Sequence, residues 1–474
     1  MTFYFYDVET SGFNPRTARI MQFGGQRTDK NLKPIGQPDN ILIKMTPDIL
    51  PEPDAVLVHG ISPQQTISEG LTEAEFLRFF IDKISLDDTV FVGYNNIRFD
   101  DEFMRFALWR NFYDAYEWQW KNGRSRWDLL DVVRMTRALR HQGINWPYAP
   151  DGKASNRLEL IASVNKLTHT SAHDALSDVH AVIAVARMIK EKQPKLFDYL
   201  FNLRDKKKVE ALVTKGVPLV YTSGRYPSEY EKTTIAVTVA QLPDKRGALM
   251  YDLRTDPAEF IKMTPAQLAE RWQARGDDVA YFPVKLLSYN KSPAIAPISV
   301  LKTSKSARLK LDPRPLKHLP QLQSAKDFGE KLVKAWELMQ PKKQTGLVAD
   351  QQKVDELLYD GFIPDTDKTK ISAVRAADAD KLSDLKLDFA DQRLKLLLPL
   401  YKARNFPKSL SQEEQEWWEV YRQHRLLDGG DSSRAARYFK RISELSSRST
   451  IDSQGQYLLD ELNLYGQSAV PLDS

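Results

Sequence analysis

Hydrophobic and polar residues follow two different periods along the first 190 residues, which predicts a mixed α/β unit. Short apolar runs bounded by turn residues predict strands, and apolar positions recurring every three or four residues predict helices. The predicted strands are residues 2–8, 19–27, 39–44 and 91–95. The predicted helices are residues 72–84, 100–112, 128–140, 156–166 and 175–192.

The pattern changes after the KEKQPK segment near residue 190. One more helix, residues 195–213, leads into short apolar segments separated by turns, which predict a small barrel or sandwich. These strand candidates are residues 217–223, 233–241, 247–253, 279–290 and 296–301.

The last part of the chain is predicted to be helical. PKKQTG, residues 341–346, has the composition of a linker. Helix candidates follow near residues 351–360, 384–404, 411–427 and 433–447. We therefore predict an α/β domain over residues 1–193, a β-rich domain over residues 194–345 and an α-helical domain over residues 346–474.

The composition predicts a folded cytoplasmic protein. Hydrophobic residues make up 42% of the chain, and no run of about 18 apolar residues predicts a membrane span. The N-terminus enters a strand directly, without a basic and then apolar leader. The chain has no cysteine, which excludes thiolate nucleophiles, disulfides and cysteine-bound zinc.

The charge balance alone identifies no partner. The net charge is +5, from 68 Lys and Arg against 63 Asp and Glu. The acidic motifs nevertheless cluster in the first domain of a chain that is basic as a whole. This distribution suggests that Lys and Arg side chains outside the acidic motifs bind a polyanion.

The first predicted strand carries two carboxylates, in FYFYDVETSGFNP at residues 3–15. Asp7 and Glu9 point to the same face because the side-chain period of a strand is two. A strand end entering a solvated turn would explain them, since turn residues follow. A divalent cation held between the two carboxylates is the functional alternative.

Two further motifs place acids and a histidine later in the first domain. VGYNNIRFDDEF, residues 92–103, offers Asp100 and Asp101, one of which could simply cap a helix. AHDALSD, residues 172–178, places His173 before a long helix and Asp178 one turn inside it. Histidine suits general-base work near neutral pH, although capping or surface exposure would also explain it. Four carboxylates and one base match two-metal phosphoryl chemistry.

These motifs carry a family resemblance. DxET, N-x-x-FD and H-x4-D, in this order, resemble the histidine-containing branch of the DEDD exonuclease superfamily, which has a ribonuclease H-like fold. YDVETSG, GYNNIRFDDE, RNFYDAYEWQW, AHDALSD, PVKLLSYNKSP and YKARNFP are similar to the bacterial exodeoxyribonuclease I family. The resemblance is dense up to about residue 210 and patchy afterwards, and little of it is recognisable beyond about residue 427.

The resemblance implies both fold and activity. An α/β ribonuclease H-like exonuclease domain would be followed by an SH3-like β-rich domain and an α-helical C-terminal domain. The implied enzyme is a monomer that removes 5′-mononucleotides from the 3′ end of single-stranded DNA in DNA repair and recombination, processively and with two Mg²⁺ ions, for which Mn²⁺ could substitute. By motif position the metal ligands are Asp7, Glu9, Asp100 and Asp178, and His173 is the base. Asp101 competes with Asp100, which is favoured because it directly follows the motif phenylalanine.

Single-stranded DNA is bound by cationic grooves with aromatic platforms. RNFYDAYEWQWKNGRSRW, residues 110–127, interleaves such side chains, although core aromatics beside a solvated face would show the same pattern. Besides Glu9, the resemblance implies DNA contacts from Arg105, Tyr116, Trp120, Arg134, Arg157, Lys206, Lys285, Asn290 and Lys291.

The resemblance also implies a protein partner, the acidic C-terminal tail of single-stranded DNA-binding protein. Arg140 and Tyr199 match positions of that peptide site. An arginine could pair with the terminal carboxylate, but Arg140 could equally serve as a charge that favours a helix C-terminus.

Three other functions compete with this interpretation. An RNA exonuclease or a polymerase proofreading subunit would use the same chemistry, and no residue visibly senses a 2′-hydroxyl. A non-catalytic nucleic-acid adaptor should lack an acid or the histidine, yet all are present. A structural metal-binding protein would leave His173 and the aromatic, basic stretch unexplained.

Overall fold

The computed structural model describes residues 1–167, 174–214, 216–276, 281–303, 309, 311, 314–340, 350–385 and 387–471. The predicted linker at residues 341–346 therefore lies outside the described residues. Within the described ranges, no helix is long and apolar enough to cross a membrane.

The N-terminal region is built on a mixed sheet. Its strands are β1 (Thr2–Thr10), β2 (Ile20–Thr28), β3 (Asp39–Leu42), β4 (Thr89–Gly93) and β5 (Ser125–Asp128). Their order across the sheet is β3-β2-β1-β4-β5. Strand β1 pairs antiparallel with β2 and parallel with β4, so it lies at the centre. This central position buries the aromatic side chains of residues 3–6 on both faces.

Helices cover this sheet. They are α1 (Pro53–His59), α2 (Pro63–Glu69), α3 (Glu73–Phe79), α4 (Asp100–Arg110), α5 (Leu129–Leu139), α6 (Leu158–Val164) and α7 (Ala175–Lys192). The predicted helix over residues 72–84 is confirmed, with its last turn in π geometry from Phe80 to Ile84. A capping box formed by Thr72 and Glu75 explains where it begins.

The prediction of one helix over residues 195–213 is wrong. The structure has two helices there, α8 (Pro194–Asn202) and α9 (Lys206–Val213). Asp205 is the reason for the break, because its carboxylate accepts a hydrogen bond from the Lys207 backbone N–H at 2.9 Å and begins a new helix.

The middle region contains one antiparallel sheet. Its strands are β6 (Leu219–Thr222), β7 (Thr233–Gln241), β8 (Gly247–Asp252), β9 (Val284–Ser288) and β10 (Ala294–Pro297), in the order β10-β6-β7-β8-β9. The strand predicted over residues 296–301 is displaced. Pairing with β6 ends at Pro297, which has no N–H for a ladder, and Ile298–Thr303 form a 3-10 helix.

Four helices accompany the middle sheet in the described ranges: α10 (Ala258–Lys262), α11 (Pro265–Gln273), α12 (Leu319–Ser324) and α13 (Phe328–Leu338). Helix α13 packs on α11 and on strand β7. Phe328, Leu332 and Ala335 are its buried face, so they help to close the core of this region.

The C-terminal region is helical, as predicted. A 3-10 segment over Gln351–Tyr359 precedes α14 (Asp365–Ala376), α15 (Ala379–Asp384), α16 (Gln392–Asn405), α17 (Gln412–Leu427), α18 (Arg434–Ser446) and α19 (Ser453–Ala469). The helix predicted over residues 384–404 begins later, at Gln392, because the Asp391 side chain caps it. The apolar sides of α18 and α19 share a core with Met21, Met45 and Val56 of the first region.

Candidate active site

The acidic site begins where β1 extends past its neighbour β4. Their pairing ends at Phe5 and Val92, so the next backbone groups of β1 lack a strand partner on that side. The Val8 N–H instead donates to Asp100 Oδ1 at 3.1 Å. Since Val8 stands between Asp7 and Glu9, this bond brings the first turn of α4 beside both acids.

Helix α7 reaches the same site through β2. Gln22 lies opposite Glu9 in the β1–β2 register. Its side chain donates to Asp174 Oδ1 at 3.1 Å and accepts from the Ala175 N–H at 3.2 Å. Gly24 permits this approach, because a Cβ there would lie 2.5 Å from the backbone of Ala175. The start of α7 is therefore fixed above β1.

The three elements bring acids together. Asp7, Glu9 and Asp178 each offer a carboxylate oxygen, and these oxygens lie within 4.8 Å of one another. The structure thus places three of the four predicted metal-site acids in one cluster. Asp100 joins it through its hydrogen bond to Val8.

The proximity of these carboxylates raises their pKa values. Burial raises the pKa of Glu9 to about 9, assisted by the charges of Asp178 and Asp100. Burial, together with Asp100 and Glu9, also holds the pKa of Asp7 well above its ordinary value. The pKa of Asp100 rises to about 7, again mainly through burial. A site that disfavours its own negative charge so strongly is suited to a cation.

The neighbouring acids Asp100 and Asp101 have different surroundings. Asp101 is fully buried and accepts hydrogen bonds from the Tyr6 hydroxyl and from Asn96 Nδ2, the latter at 3.3 Å. It also forms an ion pair with Arg126. Tyr6, Asn96 and Arg126 thus occupy the Asp101 carboxylate. The Asp100 carboxylate instead accepts from the Val8 N–H, which stands between Asp7 and Glu9.

Not every predicted site residue can be placed. His173 lies outside the described residues. Asp174 and Gln22 at this site were not predicted from the sequence. Asp174 has a recognisable signal, because it is the residue directly before α7 and its side chain accepts from the Ser177 N–H at 2.9 Å, as a helix cap does. Gln22 has none, since an isolated glutamine in a strand indicates no function.

Aromatic and basic candidates lie on α4, the helix that also carries Asp100, and on the segment that follows it. Arg105 of α4 forms an ion pair with Glu102, donates to Gln119 Oε1 at 2.8 Å and lies 5.4 Å from the centre of the Tyr116 ring. Trp120 exposes 63% of its surface, which is unusual for so large an apolar side chain. The DNA-contact candidates thus include a fixed arginine, Arg105 of α4, and an open aromatic ring, Trp120 within residues 110–127.

The turn between β9 and β10 connects the middle sheet with the first region. Arg126 Nη2 donates to the Asn290 carbonyl at 3.4 Å, and Ser292 Oγ donates to the Arg126 carbonyl at 3.3 Å. Lys291 is exposed in this turn. Although much of this side chain is exposed, partial desolvation of its ammonium group and the charges of Arg105 and nearby arginines lower the pKa of Lys291, and the charge of Glu102 opposes this shift. A basic group from the middle region therefore lies close to α4.

The other DNA-contact candidates are more dispersed. Lys206 is exposed in the first turn of α9, and Arg157 is exposed 4.0 Å from Glu159. Arg134 of α5 pairs with Asp131 at 2.6 Å. Lys285 of β9 lies 4.9 Å from the centre of the Tyr281 ring. Nothing in these contacts joins the four residues into one site.

The two candidate peptide-binding residues belong to elements that pack together, the end of α5 and helix α8. Arg140 follows α5, and its guanidinium donates to the Leu139 carbonyl at 2.8 Å. The Tyr199 hydroxyl of α8 is buried and has no hydrogen-bond partner among the described residues. Burial raises the pKa of Tyr199 to about 12.

Comparison with protein families covers nearly the whole chain. A model described as "Exonuclease" matches residues 4–186, one for the exonuclease I SH3-like domain matches residues 204–338, and one for the exonuclease I C-terminal domain matches residues 352–469. These matches confirm the predicted fold class and the family resemblance. The predicted limits at residues 193 and 345 stay predictions.

Individual relatives agree with the family models. The chain is 39% identical over 474 residues to exodeoxyribonuclease I of Haemophilus influenzae, covering 98% of each chain. It superposes on the zinc-bound E. coli exonuclease I–ssDNA complex with a TM-score of 0.92 and 36% identity, covering 99% of both chains. The complex of exonuclease I with the single-stranded DNA-binding protein C-terminal peptide gives a TM-score of 0.90, with 36% identity and 99% coverage of both chains.

Proposed function

Because this chain belongs to the exodeoxyribonuclease I family, we propose that it removes 5′-mononucleotides from the 3′ end of single-stranded DNA. The reaction is processive and serves DNA repair and recombination. The observation that carries the proposal is the cluster of Asp7, Glu9 and Asp178, whose carboxylate oxygens lie within 4.8 Å of one another. No fold requirement explains three converging carboxylates, since their mutual repulsion destabilises the folded chain.

The proposed cofactor is a pair of Mg²⁺ ions, for which Mn²⁺ can substitute. The donor set fits, because Mg²⁺ prefers hard carboxylate oxygens and usually keeps several waters. Asp7, Glu9, Asp100 and Asp178 would hold the ions. When bound, the ions supply Lewis-acid activation of water and compensation of phosphate charge.

Residues of three elements position the acids for this reaction. Asp100 fixes the end of β1 through Val8, and Gln22 fixes the start of α7, so the acids reach one place from three elements. His173, five residues before Asp178, is proposed as the general base that takes the proton of the attacking water. Its motif position supports that role. Glu9 would also contact the terminal nucleotide.

Asp100 is the better candidate for the third metal-site acid. The Asp101 carboxylate already has Tyr6, Asn96 and Arg126 as partners, which satisfies a buried charge. Asp101 then acts as a structural acid that holds α4 against the sheet. Asp100 would then contribute its carboxylate to metal binding.

The DNA strand would follow the aromatic and basic side chains beside the cluster. The open Trp120 ring provides a stacking surface for a base, and Lys291 provides a cation from the middle domain. Arg105, Tyr116, Arg134, Arg157, Lys206, Lys285 and Asn290 are the further proposed contacts.

The proposed protein partner is the acidic C-terminal tail of single-stranded DNA-binding protein, which is found bound in the related complex. The packing of α5 on α8 supports one shared peptide site for Arg140 and Tyr199. The buried Tyr199 hydroxyl offers a hydrogen-bond donor. A monomeric state and a cytoplasmic location remain predictions from the sequence.

Labelled oligonucleotides test the proposed function. Purified protein is incubated with 3′-labelled and 5′-labelled single-stranded DNA, with Mg²⁺ or EDTA, beside matched RNA and duplex DNA. We expect Mg²⁺-dependent release of the 3′ label as mononucleotide, progressive shortening of the 5′-labelled strand, and little action on RNA or duplex DNA.

An Asp7→Ala variant separates catalysis from binding in this test. It should bind single-stranded DNA while losing nearly all cleavage. Preferential cleavage of RNA would contradict the proposed substrate. Binding without cleavage by the wild-type protein would favour a non-catalytic adaptor.

A further inference from the structure

A cavity of about 440 Å³ lies between the first domain and helix α18. Its first wall is the loop that follows β1, with Ser11, Asn14 and Thr17, together with residues 49–54. Its second wall is α18, which contributes Arg434, Arg437, Tyr438 and Arg441. Ser11 stands two residues beyond Glu9, so the cavity begins next to the acidic cluster without containing its acids.

The arginines of α18 face the cavity at helical spacing and are unequally paired. Arg441 forms an ion pair with Asp54 at 2.6 Å and one with Glu444 at 3.0 Å. Arg434 and Arg437 have no carboxylate within 4.0 Å among the residues that the structure describes. The charge of Glu356 acts on Arg434 from beyond that distance. Neither guanidinium group therefore has a counter-charge at ion-pair distance.

The acids of the cavity do not supply that counter-charge. Asp54 is occupied by Arg441. Glu52 is packed against Gly12, where an added Cβ would lie 2.4 Å from its Oε1. Burial raises the pKa of Glu52, with Asp54 acting in the same direction and a backbone hydrogen bond at Phe13 opposing it. The Arg434 and Arg437 side of the cavity is thus open to an external anion.

Guanidinium groups bind phosphate through paired N–H donors, better than a point charge does. The cavity volume lies within the range of about 300–1,000 Å³ that is common for small-molecule sites. Ile49, Leu50 and the Tyr438 ring give it an apolar surface, and Ser11, Asn14 and Thr17 give it polar groups. Phosphate charge, an apolar surface and hydrogen-bonding groups together fit a nucleoside monophosphate better than phosphate alone.

We propose that this cavity binds the 5′-mononucleotide product after it leaves the acidic cluster, with Arg434 and Arg437 holding the phosphate. The proposal rests on the proposed function, which makes 5′-mononucleotides the product of each cycle. A holding site beside the cluster would keep the nucleotide away from the next scissile phosphate.

Calorimetric titration in EDTA tests the site, because without divalent ions the acidic cluster repels phosphate. The probes are dAMP, inorganic phosphate and deoxyadenosine. We expect dAMP to bind the full-length protein and the Asp7→Ala variant alike, at least tenfold more tightly than phosphate. Deoxyadenosine should bind more weakly than dAMP.

Two variants assign the binding to the cavity. Arg434→Gln combined with Arg437→Gln should weaken dAMP binding at least tenfold, whereas Lys440→Gln on the same helix should leave it unchanged. Arg437→Gln alone, at an exposed position, serves if the double variant folds poorly, and should weaken binding several-fold.

Several outcomes would overturn the proposal: no binding of dAMP in EDTA, unchanged binding in the arginine variants, equal affinity for phosphate and dAMP, or displacement of dAMP from the cavity by an acidic peptide. The nuclease assay reports separately on the proposed function. Wild-type protein that binds dAMP but cleaves no DNA would retain the site and contradict the enzyme assignment.

Discussion

Asp48 and Arg404 form a buried ion pair at 2.8 Å that joins the first domain to the last. Their side chains are 0% and 7% exposed, which is rare for charged groups. Arg404 also pairs with Asp355 at 2.8 Å, and Asp355 pairs with Arg19 at 2.7 Å. A network of buried charges thus occupies an interface at which other proteins would use apolar contacts. The relative position of the two domains therefore depends on these ion pairs.

Asp48→Asn should destabilise the folded protein. Removing one partner of a buried pair leaves an uncompensated charge, which costs about 3–5 kcal/mol. The midpoint of urea unfolding, followed by tryptophan fluorescence, measures this loss. Asp54→Asn at the more exposed pair with Arg441 is the matched control, and should cost about 0–1 kcal/mol. Equal effects of the two substitutions would contradict a stabilising role for burial at this interface.

The same network should make the protein sensitive to acid. Burial by itself would raise the pKa of Asp48, but the charges of Arg404, Arg425 and Arg19 outweigh it and hold the pKa well below its usual range. Asp355 behaves in the same way. The stabilisation is therefore complete above the unfolded pKa of about 4 and decreases as the pH falls towards the folded values.

Unfolding free energies between about pH 6 and pH 2 test this dependence. We expect stability to fall below about pH 4 in the wild-type protein. The Asp48→Asn variant should show a smaller slope against pH, because it has one fewer depressed carboxyl group. Identical slopes in the two proteins would show that groups other than Asp48 cause the acid sensitivity.

Asp100→Asn and Asp101→Asn should affect different properties of the protein. Asp100→Asn should weaken Mn²⁺ or Mg²⁺ binding at least tenfold and remove most nuclease activity, with little change in thermal stability. Asp101→Asn should lower stability, because Arg126 loses its buried partner, while metal affinity changes less. Calorimetric metal titration and thermal unfolding of both variants decide between the two acids. The reverse result would make Asp101 the third metal-site acid.

Asp7→Asn should stabilise the protein in EDTA while abolishing activity. The substitution removes one of three mutually repelling carboxylates, and the expected gain is on the order of 1–2 kcal/mol. Mg²⁺ should raise the unfolding temperature of the wild-type protein more than that of the variant. A loss of stability in EDTA would show that Asp7 has a structural role beyond the cluster.

Trp120→Ala should weaken single-stranded DNA binding by about 1–3 kcal/mol, the value of one stacked base. Stability should change little because the ring is 63% exposed. Trp118→Ala is the control, since Trp118 is 1% exposed and its removal should cost about 3–5 kcal/mol of stability. Fluorescence anisotropy of a labelled oligonucleotide measures binding. Unchanged affinity in Trp120→Ala would remove this ring from the DNA path.

Much of the first domain followed from the chain alone. The apolar run of β1 and the apolar face of α7 are local patterns, so the limits of both elements are predicted to within about two residues. The pairing of Asp7 with Glu9 on one strand face also required only the period of two. Local breaks were harder, as Asp205 shows, because a single capping side chain divided what the apolar pattern presented as one helix.

Contacts between distant residues could not be derived from any local pattern. The choice between Asp100 and Asp101 depends on where Tyr6 and Arg126 lie, and Gln22 acquires its role only because Gly24 lets α7 approach the sheet. The Asp48–Arg404 pair joins residues 356 positions apart. The sequence by itself therefore determined most of the elements, the family and the acidic motifs, because these depend on local period and spacing. Only the tertiary structure decided which charges are paired, since pairing depends on distances that the folded chain alone creates.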